Sequence, residues 1–314
     1  MGLLRKTFRA VDAGDGSDGQ WAAELRALWP AAENALTEEA CSDEGAVAAR
    51  RLFETHMPEL VPALEMLAGQ LQLPKAGAFL TLAGLRPFFA GCSQAGGGGI
   101  LLRNYDFDPD EVEGVIARSN LLRPVIGMQD CGWGLLDGMN DAGLAASLTF
   151  GGRFVSGPGF AVLIVVRYLL ETCETVGQAL AKLATLPVSL PQNLTLVDPG
   201  RAVTVYVGPD IPMTLADDAC ATNHQHFAVP DAQEKFTRTQ HRLAAIRAAG
   251  AAEADVAVML KPPLYQTVYD QGLGTVYTAR YRPGEGTVTY YWPGEAWEQS
   301  FDCFTPDTRT VTLG

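Results

Sequence analysis

Hydrophobic and polar positions follow two rhythms along this chain. From Trp21 to about Leu85 apolar residues return every three or four positions, in AAELRALW, AVAARRLFETH and ELVPALEMLAGQL, the period of helices buried along one face. No strand is evident in that stretch. From Phe88 onward the runs shorten and are bounded by turn residues: ILLRNYDF, VIGMQD, AGLAASLTF, NLTLVD and AVTVYVG, then TVYTARYRP followed by GTVTYYWPG. Each has the length and composition of a strand. Two helical stretches interrupt them: Ala161 to about Leu186, whose second half opens on a Thr175 to Gln178 capping-box pattern, and Lys235 to Ala249. The pattern predicts an α+β protein in which a helical segment, residues 1–91, precedes a sheet-rich body, residues 92–314. The most apolar stretch, Phe160 to Leu170, is broken by Arg167 and falls short of the roughly 20 residues a membrane span needs. It reads as core.

Composition narrows the class. A chain of 314 residues with 47% hydrophobic content can bury one large core or two ordinary ones. Lys and Arg total 23 against 36 Asp and Glu, and the net charge of -13 repels phosphate backbones and anionic lipid surfaces. Neither nucleic acid nor a membrane is an expected partner. The N-terminus, MGLLRKTFRAVDAGDGSDGQ, lacks an apolar run long enough for a signal-peptide core, and Lys6 stands where a myristoylation signal has Ser or Thr. A cytoplasmic protein is expected. The six cysteines, at 41, 92, 131, 173, 220 and 303, include no CxxC pair and lack the spacing of a disulfide-rich secreted domain, so reduced thiols are the expectation. There is no internal repeat, and the one low-complexity tract, Gly96 to Gly99, lies just after Cys92.

That glycine run suggests a hairpin. A turn centred on it sets Cys92 opposite Arg103, where a guanidinium favours the thiolate. Strand alternation then sends Tyr105 to the face of Arg103 and Asp106 to the other face. Asp106 reaches the thiol only if a bulge or the strand end redirects it.

These residues carry a resemblance. Gly91-Cys92-Ser93, followed by Arg103-Asn104-Tyr105-Asp106-Phe107, is similar to the nucleophile region of the choloylglycine hydrolase and penicillin acyltransferase group of N-terminal nucleophile (Ntn) hydrolases, to which acid ceramidase is also related. Gly138-Met139-Asn140-Asp141-Ala142-Gly143-Leu144 resembles that group's G-x-N-x-x-G-L segment, and Ala221-Thr222-Asn223-His224 follows in the same order. The resemblance implies a four-layer αββα sandwich whose precursor cuts itself between Gly91 and Cys92. Cys92 would then carry both a thiol and a free α-amine, a base that titrates near ~8 and needs no histidine beside it. By the same resemblance Asp106 would hold the amine, Arg103 would bias the thiol toward thiolate, and Asn223 would donate to the tetrahedral oxyanion. A further arginine is implied downstream; Arg238 and Arg242 both lie in KFTRTQHRLAAI, and Arg242 is preferred.

The reaction implied is hydrolysis or acyl transfer on the linear, non-peptide amide of a small N-acyl compound through a Cys92 thioester, with no metal and no organic cofactor. Segment 1–91 would remain as a small subunit, and a homo-oligomer is left open. The sequence departs from the bile-salt enzymes in a shorter turn between Cys92 and Arg103, and in Thr149, which stands where those enzymes often have Asn.

Other readings compete. A lone cysteine is usually inert core, Arg103 and Asp106 could form an ordinary ion pair, and Asn223 could be a turn residue. Cys220, His224 and His226 are of metal-ligand type but lack a fourth partner nearby. Neither Gly96 to Gly99 nor Gly272-Leu273-Gly274 has a phosphate-loop pattern. Tyr105, Trp133, Phe150 and Phe154 could line an acyl pocket, although isolated aromatics are more often core. A self-processing peptidase and a silent ligand- or metal-binding protein of the same fold remain the rival functions.

Overall fold

Both rhythms are realised in a computed structural model that describes residues 4–87, 89, 91–250 and 256–314, with backbone alone for 30, 31 and 33. Phe88, where the strand-like pattern begins, and the first three positions lie outside the described residues. The described chain opens on a strand, β1 (Leu4–Gly14), and continues into helices α1 (Gln20–Asn34), α2 (Asp43–His56), α3 (Val61–Leu71) and α4 (Ala76–Leu80). The helices match the predicted spacing. The strand corrects the reading of 1–91 as helical: in LRKTFRAVDAG the buried positions Phe8 and Ala10 alternate with exposed or half-buried ones, as a one-sided strand requires.

A hairpin of β2 (Gly91–Gly97) and β3 (Ile100–Phe107) leads into the meander β4 (Val115–Asn120), β5 (Pro124–Asp130), β6 (Gly134–Asn140) and β7 (Ala145–Phe150). Helices α5 (Val162–Thr172) and α6 (Val176–Leu183) precede β8 (Gln192–Val197), β9 (Ala202–Gly208), β10 (Ile211–Leu215) and the short β11 (Cys220–Ala221). The helical stretch predicted from Lys235 is two helices, α7 (Asp231–Thr237) and α8 (Thr239–Ala248), broken at Arg238, whose φ of 52° is left-handed. Strands β12 (Thr267–Val268), β13 (Leu273–Arg282), β14 (Thr287–Trp292), β15 (Glu295–Ser300) and β16 (Asp307–Leu313) complete the chain.

The strands form two sheets, ordered β10-β9-β8-β7-β6-β5-β4-β1-β16 and β11-β2-β3-β13-β14-β15, with β12 beside β13. β2 and β3 pack on β7 and β8, α5 covers β6 and β7 from outside, and α8 covers β2 and β11. The layers are therefore α, β, β, α. At Gly96 the sheets leave no room for a side chain: a Cβ there would lie 2.7 Å from Val197 Cγ2.

Ten of the eleven residues of α5 are buried, which explains an apolar run too short for a bilayer. Its Arg167 is held by Glu171 at 3.1 Å, Ser119 at 2.6 Å and the Trp133 carbonyl at 2.9 Å. No helix of the described residues is long and apolar enough to cross a membrane.

The segment before Cys92 is built into this body. β1 pairs with β16 from Leu4 to Ala10 and with β4 from Arg9 to Gly14. Phe53 stacks on Trp133 at 6.1 Å, and the Trp133 and Trp21 indoles donate to Leu80 O and Gly132 O.

Candidate active site

The β2–β3 hairpin turns through Gly98 and Gly99, both at positive φ, so only two of the four glycines make the turn. The register therefore sets Cys92 opposite Tyr105 and Gln94 opposite Arg103, two positions from the expected pairing. A shift of two preserves the face. Arg103 still reaches the thiol diagonally, Nη2 donating to Cys92 Sγ at 3.5 Å, and its guanidinium lies over the Tyr105 ring at 4.7 Å. No bulge interrupts the β2–β3 ladder, and Asp106 stands across from Gly91 on the opposite face from the thiol, as alternation requires.

The thiol face is fully buried. Arg103 Nη1 forms an ion pair with Asp137 at 2.9 Å and donates to the Leu136 carbonyl. Asp137 also accepts from Tyr277 OH at 2.5 Å and from Tyr281 OH, which in turn bonds Tyr290 at 2.9 Å. Burial works against the Arg103 charge, but Tyr277, Asp137 and the thiol hold its pKa above the ordinary guanidinium range. Burial pushes the Asp137 carboxyl up, while Arg103 and the two phenols pull it back toward the carboxylate. Burial raises the Cys92 thiol to about 11 against the pull of Arg103, so in the uncut chain the sulfur is protonated at neutral pH.

The other face grips the main chain of the same residue. The Cys92 N–H donates to Asn223 Oδ1 at 2.9 Å, and the Cys92 carbonyl accepts from Arg242 Nη1 at 2.6 Å. Arg242 also donates to Ser93 Oγ at 2.8 Å, Asn223 Oδ1 at 2.6 Å and Asp106 Oδ2 at 3.5 Å. Asp106 accepts from Gln266 at 2.8 Å and Thr275 at 2.7 Å. Burial raises the Asp106 carboxyl and lowers the Arg242 guanidinium, each opposed by the other's charge. A Cβ on Gly91 would lie 3.1 Å from Asp106 Cβ, close enough that a side chain there would press on Asp106.

Asn223 sits in the loop after β11, a loop fixed on several sides. Thr149 Oγ1 and Asn193 Nδ2 donate to Thr222 O at 2.9 and 2.8 Å, and Thr222 Oγ1 donates to Thr239 O at 2.8 Å. Thr149, the departure from the family pattern, thus supports this loop. Asn223 Nδ2 donates to the Phe150 carbonyl at 3.2 Å.

The structure brings Cys92, Arg103, Asp106, Asn223 and Arg242 together. Arg238 is exposed at the helix break and bonds His241. The metal-type residues are dispersed: Cys220 is buried in β11, His224 bonds Thr239, and His226 stacks on Phe227. Among the described residues no group of three His, Cys, Asp or Glu is arranged to hold a metal. Tyr105 and Trp133 are core, Phe150 is buried at the site's edge, and Phe154 is exposed. Asp137, Asn193, Gln266 and Thr275 escaped the sequence reading. The only signal for the first was a lone charged residue in GLLDGMN, and the second, in QNLTLV beside Gln192 and Thr195, carried none. A cavity of about 500 Å³ lies between α2, residues 83–87 and residues 156–159, and none of the five site residues lines it.

The profile of the acyl-coenzyme A:6-aminopenicillanic acid acyl-transferase family matches residues 93–297. No curated protein matches the sequence. Among solved structures, a mutant of the conjugated bile acid hydrolase from Clostridium perfringens aligns at 13% identity and a TM-score of 0.47, over 71% of this chain and 97% of that one. The penicillin V acylase from Agrobacterium tumefaciens aligns at 14% and 0.42, over 72% and 92%. The Caenorhabditis elegans ortholog of N-acylethanolamine-hydrolyzing acid amidase aligns at 16% and 0.44, over 62% and 93%.

Proposed function

We propose, from the premise that the chain belongs to the acyl-coenzyme A:6-aminopenicillanic acid acyl-transferase family, that it is a self-processing cysteine amidohydrolase or acyltransferase acting on linear amides of small N-acyl compounds. One observation carries the reading: a single residue, Cys92, is held by its thiol through Arg103 and by its main chain through Asn223 and Arg242. An inert core cysteine has no need of either grip.

In maturation, Cys92 Sγ attacks the Gly91 carbonyl carbon. The C–S bond forms as the Gly91–Cys92 C–N bond breaks, and the thiol proton passes to the departing α-amine. Water then hydrolyses the thioester, leaving a Gly91 carboxylate and a free thiol. Turnover repeats the same steps on a substrate amide: the α-amine takes the thiol proton, Sγ attacks, the proton goes to the leaving amine, and water or a second amine resolves the thioester.

Asp106 holds the amine in this reading, supported by its place across the ladder from Gly91 and by its contact with Arg242, which also grips the Cys92 carbonyl. Removing Gly91 opens the place across the ladder from its carboxylate. Asn223 serves the oxyanion, a role in which losing one donor costs roughly 10² to 10³ in rate. This role requires its amide to leave the Phe150 carbonyl or to turn over. Segment 1–91 stays bound as the small subunit through β1.

Intact mass of the wild type beside Cys92→Ala tests the reading. The expected outcome is two fragments meeting between Gly91 and Cys92 in the wild type, and a whole chain in the variant. One uncut chain in both sinks it.

A further inference from the structure

Three rings cluster where the segment before the scissile bond leaves the site. Phe89, two residues ahead of Gly91, packs on Phe150 at 4.9 Å and on Phe154 at 4.6 Å, and those two lie 5.5 Å apart. Phe150 is tied to the site through its carbonyl, which accepts from Asn223. Phe150 is buried, but Phe89 and Phe154 are 40% and 72% exposed, and the apolar surface those two present needs another account.

The chemistry supplies one. The maturation thioester and the turnover thioester share Cys92 Sγ and a carbonyl carbon, and differ only in the acyl group. Whatever lies on the acyl side of Gly91 in the uncut chain stands where a substrate's acyl chain would extend. We propose, resting on the reading above, that Phe150 and Phe154 form the acyl-binding wall of the enzyme, and that Phe89 occupies it in the uncut chain as a built-in acyl mimic. The site then takes amides whose acyl chain is apolar and ends in a bulky, preferably aromatic, group. A 4-phenylbutanoyl group carries the apolar chain and terminal ring that such a wall would read.

The test compares acetyl, butanoyl and 4-phenylbutanoyl amides of one amine on the processed enzyme. In the wild type, kcat/KM is expected to favour the phenylbutanoyl amide over the acetyl amide by at least about tenfold. Phe154→Ala is expected to shrink that ratio by about tenfold and Phe154→Leu to restore part of it, in line with the modest discrimination an apolar pocket provides. A free peptide ending in Phe-Ala-Gly is expected to inhibit competitively, and one ending in Ala-Ala-Gly about tenfold less well. An enzyme that cuts itself and turns over amides, yet shows the same acyl ratio with and without the Phe154 ring and no preference between the peptides, overturns this inference alone. A chain that neither cuts nor turns over any amide removes the reading beneath it, and the acyl wall with it.

Discussion

The two faces of the β2–β3 hairpin hold one buried arginine each, and the two are set differently. Arg103 meets its carboxylate, Asp137, at 2.9 Å, and that carboxylate also takes two phenol donors. Arg242 meets Asp106 at 3.5 Å and spends its closer contacts on the Cys92 carbonyl, Ser93 and Asn223. The first arginine is locked in place beside a sulfur, where the work proposed for it is electrostatic. The second grips backbone, where the work proposed for it is positional. Separating the two tasks by strand alternation lets one residue be both polarised and held without the two cations competing for the same space.

The contrast breaks most severely if the clamp is removed. In a Cys92→Ala background, which keeps the chain whole, Arg242→Met leaves Asp106 buried without its cation. It is expected to cost about 3–5 kcal/mol in urea unfolding. In the chain with Cys92 intact, the same substitution should abolish the cut. A loss under about 1 kcal/mol would mean Gln266 and Thr275 suffice for Asp106, making the clamp dispensable to the fold.

A second test sharpens the electrostatic side through pH. A thiol raised to about 11 is protonated at neutrality, so iodoacetamide should modify Cys92 of the uncut chain about tenfold faster per pH unit up to that value. In the 92–314 fragment the profile should level off lower, near the ~8 at which an α-amine gives up its proton. Intact mass separates the two species, and peptide mapping assigns the adduct. Identical profiles would remove the amine from the mechanism.

The smallest expected effect is Tyr281→Phe, which takes one donor from Asp137 and leaves Arg103 in place. In the Cys92→Ala background it should cost about 1.5–3 kcal/mol by urea unfolding, and with Cys92 present both fragments should still form. Loss of the cut would mean the phenols do more than hold the lock.

What could be read from the sequence follows from how local each feature is. The strands β3, β5, β7, β8, β9, β13 and β14 and the helices of segment 1–91 were legible because each carries its own period. The hairpin register was missed by two because the glycines divide their labour: Gly98 and Gly99 turn the chain, whereas Gly96 lets the sheets approach. β1 was missed because its partners are β4 and β16, the latter at the far end of the chain. Asp137 was invisible for the same reason, since its meaning lies in tyrosines of β13, more than a hundred residues away. Cys92, Arg103, Asp106, Asn223 and Arg242 were reached through motif order, and the geometry by which Asp106 could matter from the wrong face of a strand became visible only once Arg242 was seen beside it.

The eleven residues of β1 give the proposed cut a direction in time. While the chain is whole, the strand finds its slot between β4 and β16 as a tethered segment. Once the Gly91–Cys92 bond is gone, the same contacts join two molecules, and their survival depends on concentration and on never letting go. A matured enzyme that is unfolded must recapture its small subunit from solution, whereas the precursor needs only to refold. Maturation would therefore act as a ratchet: the molecule folds as one chain, once, and thereafter persists by how slowly its two pieces part.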